Sequence, residues 1–154
     1  MNDLITTFSA AIMADDTLTA WAAVEYDKTV MVFENYDSRN EPGENDCPLV
    51  ILYPSMKSGG IAQGDKYHVI GITCVVYDSA MPETVDDVLR FTGGYNVDEM
   101  RSMVLDVIKA NIPANMHLDS VLSEYNTIEQ FPYVSVNMEL TFSEPKTIGS
   151  DPYE

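Results

Sequence analysis

The sequence predicts an α+β fold, a mostly antiparallel β-sheet packed on one side by two helices in the order α-β-β-β-α-β-β. Three stretches carry that reading. Val134, Val136, Met138, Leu140 and Phe142 alternate with Ser135, Asn137, Glu139 and Thr141, the pattern of an antiparallel strand with one buried and one polar face. Residues 67–77 are rich in β-branched and aromatic side chains, which suit a pleated surface. Val97, Met100, Val104, Val107 and Ile108 lie on one helical stripe, and Pro113 stops it because it can neither donate the next hydrogen bond nor avoid the preceding turn.

The other elements follow in chain order. Leu4, Ile5, Phe8 and Ile12 recur at the spacing of one helix face, with Asn2 or Asp3 as its cap. A second helical turn is expected around Leu18, Trp21 and Ala22, and residues 30–33 read as a short strand. Residues 35–47 are polar and turn-rich, so an exposed loop is expected there. The apolar run 49–53 lies between Pro48 and Pro54, residues best tolerated at strand ends. A loop holding Gly59, Gly60 and Gly64 joins it to 67–77 as a long hairpin. In the latter strand Ile70, Ile72, Cys74 and Val76 share one face while Val69, Val75 and Tyr77 share the other, so both faces are expected to be covered. Residues 78–95 read as an excursion from the core, with a turn over 85–91 and a break at Gly93-Gly94. The following helix is expected over 96–112, started by a capping-box-like pair, Asn96 and Glu99. Residues 118–125 form a weaker strand candidate, and 146–154 read as a frayed tail. No repeat or long linker divides the chain, so residues 1–154 are expected to form a single domain.

Charge is the unusual bulk property. Eight basic residues face 25 acidic ones, a formal charge of −17 and a pI near 4.1. Such a surface repels phosphate and anionic lipid, which argues against tight nucleic-acid binding and against a membrane partner. No apolar run approaches the ~20 residues needed to cross a bilayer. The first residues lack the basic start and apolar stretch of a secretory signal. Two cysteines, Cys47 and Cys74, are too few for a disulfide framework, and synthesis in a reducing cytosol is expected.

Chemistry is hard to place on these residues. A nucleophile needs a base within reach, and the two histidines, His68 and His117, read as surface or half-buried strand and loop residues. The four Cys and His residues are too scattered for a zinc site. Asp37, Glu41, Glu44 and Asp46 lack the alternating frame of a calcium loop. Residues 58–66 are glycine-rich but have no Gly-Lys-Ser/Thr ending and no following helix, so they fail as a phosphate cradle. Asp86-Asp87 and Asp98-Glu99 sit near expected helix starts, where acids favour the helix dipole. No catalytic residue, cofactor or metal is therefore expected.

In order and approximate length, the helix with Leu4, Phe8 and Ile12, the strand 49–53, the strand 67–77, the helix 96–112 and the strand 134–142 resemble the tail terminator or tail-completion proteins of tailed bacteriophages. The resemblance runs from about residue 3 to 143 and is one of pattern, with 78–95 longer than the family's pattern leads one to expect. It implies a ring, commonly of six copies, that sits on the tail tube protein, stops polymerisation and offers a surface to the head-side connector or neck protein. It also implies assembly in the host cytoplasm and a final place in the virion, with DNA passing through the lumen. Acidic residues lining that lumen would let DNA pass without sticking. On this reading the candidate subunit or partner contacts are Asp37, Arg39, Glu41 and Glu44 in one loop, and Lys57, Gly59, Gly60, Asp65 and Lys66 in the other. Three alternatives stay open: an acidic DNA mimic that inhibits a nucleic-acid enzyme, an enzyme with a site shared between subunits, and another neck or tube component.

Overall fold

The computed structural model describes residues 2–58 and 66–145. Two helices come first, α1 (Asn2–Ala14) and α2 (Asp16–Tyr26), followed by the short strand β1 (Met31–Glu34). A single 3₁₀ turn (Glu44–Asp46) leads into β2 (Leu49–Ser58) and β3 (Lys66–Tyr77). A small hairpin, β4 (Glu83–Val85) and β5 (Val88–Arg90), precedes α3 (Thr92–Ala110), and β6 (His117–Asn126) and β7 (Tyr133–Glu144) close the described chain.

Five strands form one sheet in the order β1-β2-β3-β7-β6. All its pairings are antiparallel except β1 with β2, which run parallel in the register Met31↔Leu49 to Glu34↔Leu52. The fold is thus α+β with a mainly antiparallel sheet, carrying three helices where two were expected. The third is α2, expected only as a turn. Asp15 caps it, its carboxylate accepting from the Leu18 N–H at 2.8 Å, and Asp27 ends it in the left-handed region at φ 52°.

The period of two along each strand sets two separate apolar layers. Val50 and Leu52, Ile70 to Val76 on even positions, and Val134 to Phe142 on even positions face α1, α2 and α3. Phe8 of α1 lies on Phe142 with ring centroids 5.5 Å apart, and Met100, Val104 and Ile108 of α3 complete this core. On the other face a smaller cluster, Cys47, Leu49 and Ile51 with Phe33, Tyr53, Val75, Tyr77 and Tyr133 against it, is covered by the end of the 35–47 loop. Residues 35–41, Glu44 and Asn45 are exposed, as expected of a surface loop, and only its last residue, Cys47, is buried.

Two glycines are set by neighbours. At Gly71 a Cβ would stand 2.2 Å from the Tyr53 ring, so only glycine lets that ring lie flat across the sheet. At Gly93 a Cβ would come within 3.0 Å of Val134 Cγ2 and 3.1 Å of Asp78 Cβ. The expected break at Gly93-Gly94 is therefore absent. Both glycines belong to the first turn of α3, which starts at Thr92 and not at Asn96, with Phe91 as its N-cap residue. The capping-box role expected of Asn96 is likewise replaced, since its amide donates to the Tyr26 hydroxyl at 2.9 Å.

Candidate functional site

The loop residues singled out from the sequence separate into three situations. Asp37 and Arg39 satisfy each other at the surface. The Arg39 N–H and guanidinium donate to the Asp37 carboxylate at 2.9–3.2 Å, and the guanidinium holds that carboxyl below its usual range. Glu41 and Glu44 flank the second apolar layer. Glu41, with Tyr36 and Pro42, lines a cleft of about 480 Å³ whose floor is Leu49, Ile51, Tyr53, Thr73 and Val75. Glu44 lies beside Tyr77 and raises its phenol. The third group sits at the far end of the β2–β3 hairpin. Lys57 lies in β2 opposite His68, and Lys66 opens β3 opposite Glu144 and is exposed. Gly59, Gly60 and Asp65 lie outside the described residues, as does the tail 146–154. Lys57 and Lys66 stand at the opposite end of the β2–β3 pairing from Leu49, which follows the 35–47 loop.

The groups that could carry chemistry are each accounted for by packing. His68, expected at or near the surface, is buried, because its even position puts it on the helix-covered face with Ile70 and Ile72. Its Nε2 lies 3.3 Å from the Glu144 carboxylate, which also accepts from Asn115 at 2.8 Å. Its Nδ1 is buried without a partner among the described residues. His117 is exposed at the start of β6. Burial pushes the Cys74 thiol up from 9.0 to about 12 and the Cys47 thiol up to about 11, so both stay protonated at neutral pH and are poor nucleophiles. Among the described residues no group of three or more His, Cys, Asp or Glu side chains is placed to hold a metal ion. No described helix is long and apolar enough to cross a membrane.

What the sequence did not reveal lies in the 78–95 excursion. Its two short strands are joined by Asp86 and Asp87, both at positive φ (51° and 63°), the backbone of a two-residue hairpin turn. Every residue of both strands is exposed. Val88 and Leu89 are uncovered, and so are Met81 before them and Tyr95 after them. Phe91 meets Phe131 of the β6–β7 turn edge-on with centroids 5.6 Å apart, and Ile128 of the same turn is 82% exposed. One end of the molecule therefore carries an apolar patch built from two segments.

The base of this hairpin is clamped by a buried carboxylate. Asp78 accepts from the Ala80 N–H at 3.1 Å, the Thr92 hydroxyl at 3.0 Å and the Tyr26 hydroxyl at 3.2 Å, while its own N–H donates to Pro132 O at 2.9 Å. It thereby ties α2, α3, the hairpin and the β6–β7 turn to one point. Burial raises the Tyr26 phenol well above its usual range, and the Asp78 charge adds to that shift. A two-stranded hairpin is marginal in water by itself, so these bonds and the Phe91–Phe131 contact are what fix its direction.

Comparison with known proteins adds little to this geometry. No family model matches the chain, and no curated protein matches it. One solved structure is similar over 96% of this chain and 98% of its own, at 16% identity and a TM-score of 0.44, a likeness too distant to carry a function.

Proposed function

We propose that this chain is a structural assembly protein that forms a ring on the end of a phage tail tube, stops the tube growing and joins it to the head-side connector. The observation that carries the reading is the uncovered apolar end formed by the β4–β5 hairpin and the β6–β7 turn. Exposed apolar surface of this kind marks contact with another macromolecule, and the buried histidine and raised thiols, which lie elsewhere in the fold, offer no competing chemical role. The order and length of the elements, from α1 through β7, support the tail-terminator likeness. β6 supports ring closure, since alternate residues of this ten-residue edge strand turn unpaired backbone groups outward to a neighbour. The charge of −17 suits a lumen that DNA crosses without binding.

Tube growth tests the capping role. With this chain added to polymerising tail tube protein, electron micrographs are expected to show tubes that stop short and carry a ring at one end. Tubes that reach the same lengths with and without it would contradict the proposal.

A further inference from the structure

The apolar end has a chemistry that narrows its occupant. Leu89 and Phe91, two residues apart in extended backbone and so on one face of the hairpin, are 64% and 49% exposed, and Phe131, which meets Phe91, and Ile128 of the same turn are 47% and 82% exposed. Glu83, Asp86 and Asp87 lie on the same hairpin and Glu129 follows Ile128, all of them exposed, and Arg90 is the one base on the hairpin, paired opposite Glu83. Both hairpin strands keep an open edge, able to take a further strand by main-chain hydrogen bonding.

We infer that this end is the docking surface for a different protein, one that presents apolar side chains flanked by lysine or arginine on an extended segment. The inference rests on the assembly reading above and names the kind of partner the site takes. A second copy of this chain fits poorly, because it would bring an equally acidic rim, or another part of a surface with 25 acids and eight bases, against these carboxylates. Like charges across an interface cost affinity and slow encounter, whereas a basic partner is steered in. In a ring, self-contacts would then run through other surfaces, leaving this end free for the neighbour above or below.

The test uses the full chain and a fluorescently labelled peptide of alternating lysine and leucine, with an alternating glutamate and leucine peptide as control. The variant is Leu89→Ser with Ile128→Ser, two exposed positions whose change leaves the fold and the net charge intact. The lysine peptide is expected to bind the wild-type chain, and to lose at least about tenfold in affinity in the variant, as for loss of interface anchors. High salt is expected to weaken it further, while the mass of the chain in light scattering is the same for wild type and variant. Equal binding to both proteins would overturn the inference, since net charge alone would then explain it. So would a glutamate peptide that binds as well, or a variant whose assembly falls apart, which would make a second copy the occupant. A wild-type chain that stays monomeric yet binds the lysine peptide through Leu89 and Ile128 would instead sink the ring and leave this inference standing.

Discussion

Replacing Phe142 with alanine is expected to cost about 3–5 kcal/mol of folding stability, the range for removing a large aromatic from a packed core. Phe142 is fully buried, in register with His68 on one neighbouring strand and Leu118 on the other, and its ring lies on Phe8 of α1. The lost volume sits where α1 packs on the sheet near the end of β7. Neither β3 nor β6 can move in to fill it without breaking its own ladder. Since whole domains are stable by only ~5–15 kcal/mol, the variant is expected to unfold at a much lower denaturant concentration with little change in slope. Chemical denaturation checks this, and a loss below about 1 kcal/mol would mean that the Phe8–Phe142 contact is not part of a tight core.

The second large effect is expected from Asp78→Ala. Four donors, from Ala80, Thr92, Tyr26 and, at 3.5 Å, Asn96, converge on this carboxylate in a nearly closed environment. Each hydrogen bond to a charged group contributes roughly 1.5–3 kcal/mol, and donors left without an acceptor add a penalty. Partial rescue by water lowers the sum, so a net loss of about 2–4 kcal/mol is expected. The β4–β5 hairpin supplies a separate readout. Arg90 is the only lysine or arginine between Lys66 and Arg101, so trypsin reports local opening at one bond. Cleavage after Arg90 is expected to speed up by about tenfold or more in the variant, ahead of global unfolding. Asp78→Asn keeps an acceptor and is expected to fall between the two. Unchanged cleavage in Asp78→Ala would show that the Phe91–Phe131 contact alone holds the hairpin.

Much of the fold was legible because burial leaves a period in the sequence. The alternation in β7 and the stripe from Val97 to Ile108 each follow from one covered face, and the nearly continuous apolar run of β3 follows from one buried and one half-buried face. Where the period was weak, reading failed. In α2 only Leu18, Trp21 and Ala22 are buried, so alanine propensity and the Asp15 cap define the helix more than its pattern does. Gly93 and Gly94 read as a break because propensity counts against them, yet Val134 and Asp78 pack so close to Gly93 that a Cβ there would have to push them aside. The parallel pairing of β1 with β2 has no local signal, for it depends on how the 35–47 loop crosses the second face.

The candidate site was less legible for a related reason. Loops at 35–47 and 57–66 stood out by polarity and glycine content, whereas Val88, Leu89, Phe91 and Ile128 look in sequence like ordinary core residues. Only their place on a projecting hairpin and turn shows them uncovered. The Asp86-Asp87 pair between two valines was the one available hint. It was a weak one, because such turns favour a glycine in the second position.

The central claim is that this protein works as a ring of identical copies, and its mass in solution tests that most directly. Light scattering over a range of protein and salt concentrations is expected to give a closed assembly of several 17.1 kDa chains, favoured as salt screens the repulsion between acidic copies. The family likeness points to six. A mass of one chain, or of a simple dimer, under every condition would contradict the ring and bring the acidic DNA mimic to the front.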